Sequence, residues 1–128
     1  MESLALDDVF WLDGSVDLIV RGVVDDDTVE RFERGIDSAI GTRSRRLVID
    51  LTACRLTSAG LAALVRLERR SSSRPTATRL VATGVDQLRM LEIVELTSRF
   101  RTYETLAAAH NLSRVAGPVS LARSGGSE

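Results

Sequence analysis

Leu47-Val48-Ile49-Asp50-Leu51, followed by Thr57-Ser58-Ala59-Gly60-Leu61, decides the fold. The first stretch is a continuous apolar run broken by one acid, so it reads as a central strand buried on both faces. The second stretch opens a helix. Thr57 is a candidate N-cap, Ser58 falls in the first turn, and Leu61, Leu64, Val65 and Glu68 follow at helical spacing. Arg66, Arg69 and Arg70 sit at the far end of this helix, where cations suit the dipole. A central strand that runs through a loop into a helix is the first half of a parallel crossover.

Toward the N-terminus, Val9-Phe10-Trp11-Leu12 is apolar and Asp13-Gly14 follows, a strong hairpin signal. Val16, Leu18 and Val20 then alternate with Asp17, Ile19 and Arg21, which predicts a hairpin with one face buried. Gly22 is expected to end the second strand. Asp25-Asp26-Asp27 precedes a helix whose core face is Val29, Phe32, Ile36 and Ile40, with Gly41 just past its end. Asp27 with Glu30 has the spacing of a capping box.

Toward the C-terminus, Ser71 to Pro75 has loop composition, Thr78 to Ala82 reads as a strand, and Gly84 closes it. Val85, Leu88, Leu91 and Val94 predict a third helix. Phe100 to Tyr103 predicts a short strand, and Thr105 to His110 a short last helix. From Ser113 the apolar period is lost, and Ser124-Gly125-Gly126-Ser127 has a flexible composition. The expected organisation is one domain over residues 1–112 and a flexible tail over 113–128. Its fold class is α/β, with the order ββαβαβαβα. A mixed sheet of about five strands begins with an antiparallel hairpin and continues by parallel crossovers, with about four helices mainly on one face.

Composition narrows the function. The chain has 128 residues, 44% hydrophobic, which suffices for one core, and its formal net charge of −1 does not point to nucleic acid or an anionic membrane. All 17 basic residues are Arg, which excludes chemistry that needs a Lys Schiff base or a P-loop Lys. Cys54 is the one cysteine, so no internal disulfide forms, as fits a reducing cytoplasm; it reads as a small buried hydrophobe. The acidic start Met1 to Asp8 does not resemble a signal peptide, and no apolar run approaches the roughly 18 residues of a membrane span.

His110 is the only histidine, so a zinc site lacks ligands, and no G-x-S-x-G, G-x-G-x-x-G or Walker pattern is present. At the end of a short helix, His110 reads as a C-terminal cation. Phe10, Trp11, Phe32, Phe100 and Tyr103 fall on predicted core elements and form no base-stacking platform. The expectation is a binding module, not an enzyme, with no cofactor and no metal.

The hydroxyl pair Thr57-Ser58 remains. Ser and Thr cap helices commonly, and capping is the ordinary reading. The carboxyl end of a central strand is also where α/β sheets place function. A phosphate on such a hydroxyl would sit at the positive end of a helix dipole and would add roughly −1.5 to −2 charges without melting the domain.

These segments resemble the STAS domain, a fold named for sulfate transporters and anti-sigma factor antagonists. The resemblance runs from about Val9 to about Leu112. Gly22-Val23-Val24-Asp25 is similar to the family's strand end before helix one. Leu47 to Thr52 with Thr57 to Leu61 is similar to its central strand and serine-bearing helix start. Leu91 to Thr97 and Tyr103 to Ala109 resemble its last helices and strand.

For a chain of this size the resemblance implies an anti-sigma factor antagonist. Such a protein binds an anti-sigma factor that is a serine kinase of the histidine-kinase-like ATPase type, and phosphorylation of one serine switches it off. That serine corresponds to Ser58. Thr57 stands where the family has an acid and is an alternative acceptor. The implied partner surface comprises Asp25, Thr57, Ser58, Ala59 and Gly60, on a monomer or weak dimer. The alternative is a STAS scaffold or accessory subunit without a phospho-switch, of stressosome or lipid-transporter type.

Overall fold

The computed structural model describes residues 4–41, 45–71 and 77–110. The expected tail over 113–128 lies outside the described residues. Strands β1 (Ala5–Phe10), β2 (Ser15–Val24), β3 (Arg46–Leu56), β4 (Ala77–Val81) and β5 (Arg101–Tyr103) lie side by side in chain order. β1 is antiparallel to β2, and every later neighbouring pair is parallel. Between and after them run α1 (Val29–Ile40), α2 (Ser58–Ser71), α3 (Val85–Ile93), α4 (Leu96–Arg99) and α5 (Leu106–Ala109). The architecture is the expected hairpin followed by parallel crossovers. The additional helix arises because Glu95 takes a left-handed φ of 61°, which separates α4 from α3.

The hairpin is built differently from its apolar pattern. β1 starts at Ala5 and stops at Phe10, so Trp11 to Gly14 form the turn. Asp7 is tolerated in this edge strand because it pairs with Arg21 of β2. Gly14 has φ 90°, and Asp13 Oδ1 accepts a 3.0 Å bond from the Ser15 amide. β2 continues past Gly22 to Val24.

The two faces of the sheet carry unequal cores. Phe32 and Ile36 of α1, Leu64 and Leu67 of α2, Leu91 of α3 and Leu96 of α4 pack on one face against Leu18, Leu47 and Ile49. On the other, a small cluster joins Val48 and Val81 to Ala109, with Tyr103 and Leu106 at its border. The apolar run of β3 is thus covered on both faces, as its composition predicts. The start of β2 is covered on both faces as well, so Asp17 is buried where alternation predicts exposure. The reason is Trp11 and His110, the residue after α5, which both bond Asp17 on that face.

Some apolar residues are not where the sequence pattern puts them, Leu12 of the turn among them. Phe10 is 62% exposed because it ends the edge strand, and Val85 is 72% exposed because it opens α3 before the helix turns onto the core. Arg66–Glu33 and Arg70–Asp37 ion pairs join the outer surfaces of α1 and α2.

Candidate functional site

Val24 and Leu56, the last residues of β2 and β3, are register partners, so the turns after the two strands emerge side by side. The first turn is organised by Asp25. Its Oδ1 accepts from the amides of Asp27 (2.9 Å) and Thr28 (3.2 Å), while Thr28 Oγ1 donates to the Val23 carbonyl (2.7 Å) and accepts from the Asp25 amide (3.0 Å). The expected Asp27–Glu30 capping box does not form. Thr28 stands at the N-cap and the helix begins at Val29, and the Asp25 carboxylate takes the Asp27 amide that the Glu30 side chain would engage in a capping box. Asp26 and Asp27 are left exposed.

The second turn leans on the first. The amide and hydroxyl of Thr57 both donate to the Val24 carbonyl, at 3.1 and 2.8 Å. Thr57 is half-buried, and its hydroxyl ties α2 to β2 instead of capping α2. Ser58, the first residue of α2, is exposed, and its hydroxyl makes no hydrogen bond among the described residues. Ala59 is half-buried and Gly60 is buried. A Cβ at Gly60 would lie 2.9 Å from Leu56 Cδ2 and 3.0 Å from Val24 Cγ1. Gly60 therefore serves the site by letting α2 approach the strand ends, not by offering a side chain.

Behind Ser58, β3 runs beyond the end of β4 and is bulged. Asp50 is partnered by Ile19 and Ala53 by Arg21, so Leu51 and Thr52 together oppose Val20. The buried Asp50 carboxylate accepts from the Thr52 amide (3.0 Å) and hydroxyl (2.7 Å), which satisfies the bulge. Gln87 Nε2 donates to the carbonyls of Leu51 (2.8 Å) and Cys54 (3.3 Å), and its Oε1 accepts from the Thr83 amide (3.1 Å). Gln87 thus fastens the extension of β3 to α3. Burial, with the nearby Asp50 charge, pushes the Cys54 thiol up to about 12.

The structure brings Asp25, Thr57, Ser58, Ala59 and Gly60 together at one end of the sheet. His110 is at the other end, where it bonds Asp17 in the first part of β2. Among the described residues no three His, Cys, Asp or Glu side chains converge as a metal site, and no helix is long and apolar enough to cross a membrane. What the carboxyl end offers is an exposed, unbonded hydroxyl on the first residue of α2. Asp50 and Gln87, which shape this end, bond to backbone through turns and bulges that residue periodicity does not reveal.

A STAS domain model matches residues 11–109. The chain belongs to the STAS domain family. No curated protein matches its sequence. Among solved structures, it is similar to an anti-sigma factor antagonist from Mycobacterium paratuberculosis, with 28% identity and a TM-score of 0.73, over 89% of this chain and 95% of that one. A putative anti-sigma factor antagonist from Thermotoga maritima has 16% identity and a TM-score of 0.70, over 85% and 94%. The Bacillus cell fate determinant SpoIIAA in its phosphorylated form has 16% identity and a TM-score of 0.64, over 86% of this chain and all 100% of that one. The last two likenesses establish the shared STAS fold.

Proposed function

We propose that this STAS protein is an anti-sigma factor antagonist, a binding module and not an enzyme, switched off by phosphorylation of Ser58. One observation carries the reading: Ser58 is exposed and unbonded at the start of α2, while the neighbouring Thr57 hydroxyl is committed to the Val24 carbonyl. Of the two candidate acceptors, Ser58 is the one a kinase can reach without breaking a structural hydrogen bond. The similarity to the antagonist from Mycobacterium paratuberculosis supports the assignment of partner class.

In this account the unmodified protein presents Ser58, Ala59 and the Asp25 turn to an anti-sigma factor that is itself a serine kinase. The phosphate lands on the first residue of α2, where the helix dipole and free amides accommodate it. The fold survives and the surface becomes more negative. The new charge stands beside a turn that already carries Asp25, Asp26 and Asp27, so a partner surface matched to the neutral hydroxyl is repelled.

The test is incubation of the purified protein with its candidate kinase partner and ATP, followed by mapping of the modified residue. Phosphate on Ser58, absent from Ser58→Ala, is the expected result. A complex that forms with no phosphate on Ser58 or Thr57 would replace the switch with the scaffold reading.

A further inference from the structure

The end of the sheet remote from Ser58 holds three side chains that the proposed switch does not use. Trp11 Nε1 donates to Asp17 Oδ2 at 2.9 Å, and His110 Nε2 lies 2.7 Å from Asp17 Oδ1. The indole and imidazole stack with centroids 4.1 Å apart and planes inclined by 23°. The side chains of Asp17 and His110 are each 2% exposed. The chain contains one Trp and one His, and the fold gathers both onto one buried carboxylate. Asp13, in the same turn, feels this cluster. Burial pushes its carboxyl up, but hydrogen bonds from Ser15 and the charges of Arg46 and His110 outweigh burial and hold it below its ordinary value.

We infer that Trp11, Asp17 and His110 form a latch that fastens α5 to the hairpin and can open while the sheet stays folded. Three observations carry this. First, α5 has four residues, too few to persist as a helix without docking. Second, its apolar seat is small: Leu106 and Ala109 against Val48, Val81 and Tyr103. Third, the rest of its anchorage is polar, namely Arg79 donating to the Ala109 carbonyl and His110 meeting Asp17 across 93 positions of sequence. The sheet itself is held from the opposite face by the larger core under α1, α2, α3 and α4. Loss of the latch therefore costs α5 most of its hold and costs the sheet little.

The consequence is a second conformational state independent of Ser58. With the latch closed, α5 covers Val48 and Val81 at the end opposite the serine. With it open, the second face of the sheet is bared and α5 is free of the fold. Such local opening is the ordinary behaviour of short elements held by few buried apolar contacts.

Hydrogen exchange and Trp11 fluorescence on the full chain test the latch. His110→Gln keeps a donor for Asp17 and removes the ring stack. Asp17→Asn keeps the volume and removes the charge. Each variant is expected to accelerate exchange of the amides of residues 106–110 by about tenfold or more, the equivalent of one hydrogen bond to a charged group. The Trp11 emission should shift, while exchange over residues 47–51 and the far-ultraviolet circular dichroism stay as in wild type. Trp11→Phe, which retains the His110–Asp17 pair, should produce a smaller acceleration confined to the same amides. Unchanged exchange at 106–110 in both His110→Gln and Asp17→Asn would show that the cluster does not hold α5. Equal acceleration at 106–110 and 47–51, or failure of these variants to fold, would show that it belongs to the global core and is no latch.

Discussion

At the carboxyl end of the parallel strands, Asp25, Thr28 and Thr57 commit their hydrogen bonds to turn backbone and leave Ser58 exposed. At the amino end, Trp11, Asp17 and His110 bond and stack with one another, and Asp17 and His110 are withdrawn from solvent. The difference separates two uses of polar residues in one small sheet. A hydroxyl can be modified without harm only if its neighbours carry the folding. A buried pair is out of reach of an enzyme, but it can decide whether an element is docked. The largest structural test of this contrast is Leu64→Ala, because Leu64 lies in the core beneath α2 that supports the serine end. It should lower stability by about 2–5 kcal/mol in urea unfolding. A loss as small as that of a surface substitution would mean that α2 is not a rigid platform.

Gly60→Val follows. Added atoms there meet Leu56 and Val24, and overpacking of this kind costs about 1–3 kcal/mol. The change should also weaken partner binding by tilting the start of α2, whereas the Trp11 emission at the opposite end should be unaffected. A shift in Trp11 emission would break the separation between the two ends.

Cys54 sharpens the picture of the serine end through pH. The unfolded chain releases the thiol proton near pH 8.5, whereas the folded chain holds it up to about 12. Between those values unfolding releases a proton, so stability falls as pH rises. Cys54→Ala should flatten that decline in unfolding curves collected from pH 8 to 11. The thiol should also react slowly with alkylating reagents at neutral pH until the protein is denatured. Rapid alkylation of the native protein would show that the bulged end of β3 is open.

The smallest effect is expected at the site itself. Ser58→Ala removes an exposed, unbonded hydroxyl and should change stability by no more than about 0.5 kcal/mol. A larger loss would assign the serine to the fold.

Much of this arrangement is legible in the chain. The run from Leu47 to Leu51 identifies a strand apolar toward both faces, and Asp13-Gly14 marks the hairpin. Thr57 to Leu61 marks the helix start that bears the serine. These are local patterns whose period matches the element they form. The unread parts depend on distant partners. Asp17 occupies a position that alternation assigns to solvent, and its burial depends on Trp11 from the turn and on His110 from 93 residues away. Asp25 defeats the Asp27–Glu30 capping pattern because its carboxylate, two residues earlier, holds the Asp27 amide that the Glu30 side chain would engage. Thr57 and Ser58 look equivalent in sequence. Their difference lies in the Val24 carbonyl, which belongs to a neighbouring strand.

The most direct test of the central claim is the affinity of one purified anti-sigma partner for the protein before and after stoichiometric phosphorylation of Ser58, with Ser58→Ala as the control. A complete switch from about 99% bound to about 1% requires roughly a 10⁴-fold change, or about 5.5 kcal/mol. A lone surface repulsion falls short of that figure, so the serine must lie within the interface. The account predicts a loss of this order on phosphorylation and wild-type affinity for Ser58→Ala. Equal affinity of the phosphorylated and unphosphorylated forms would contradict it.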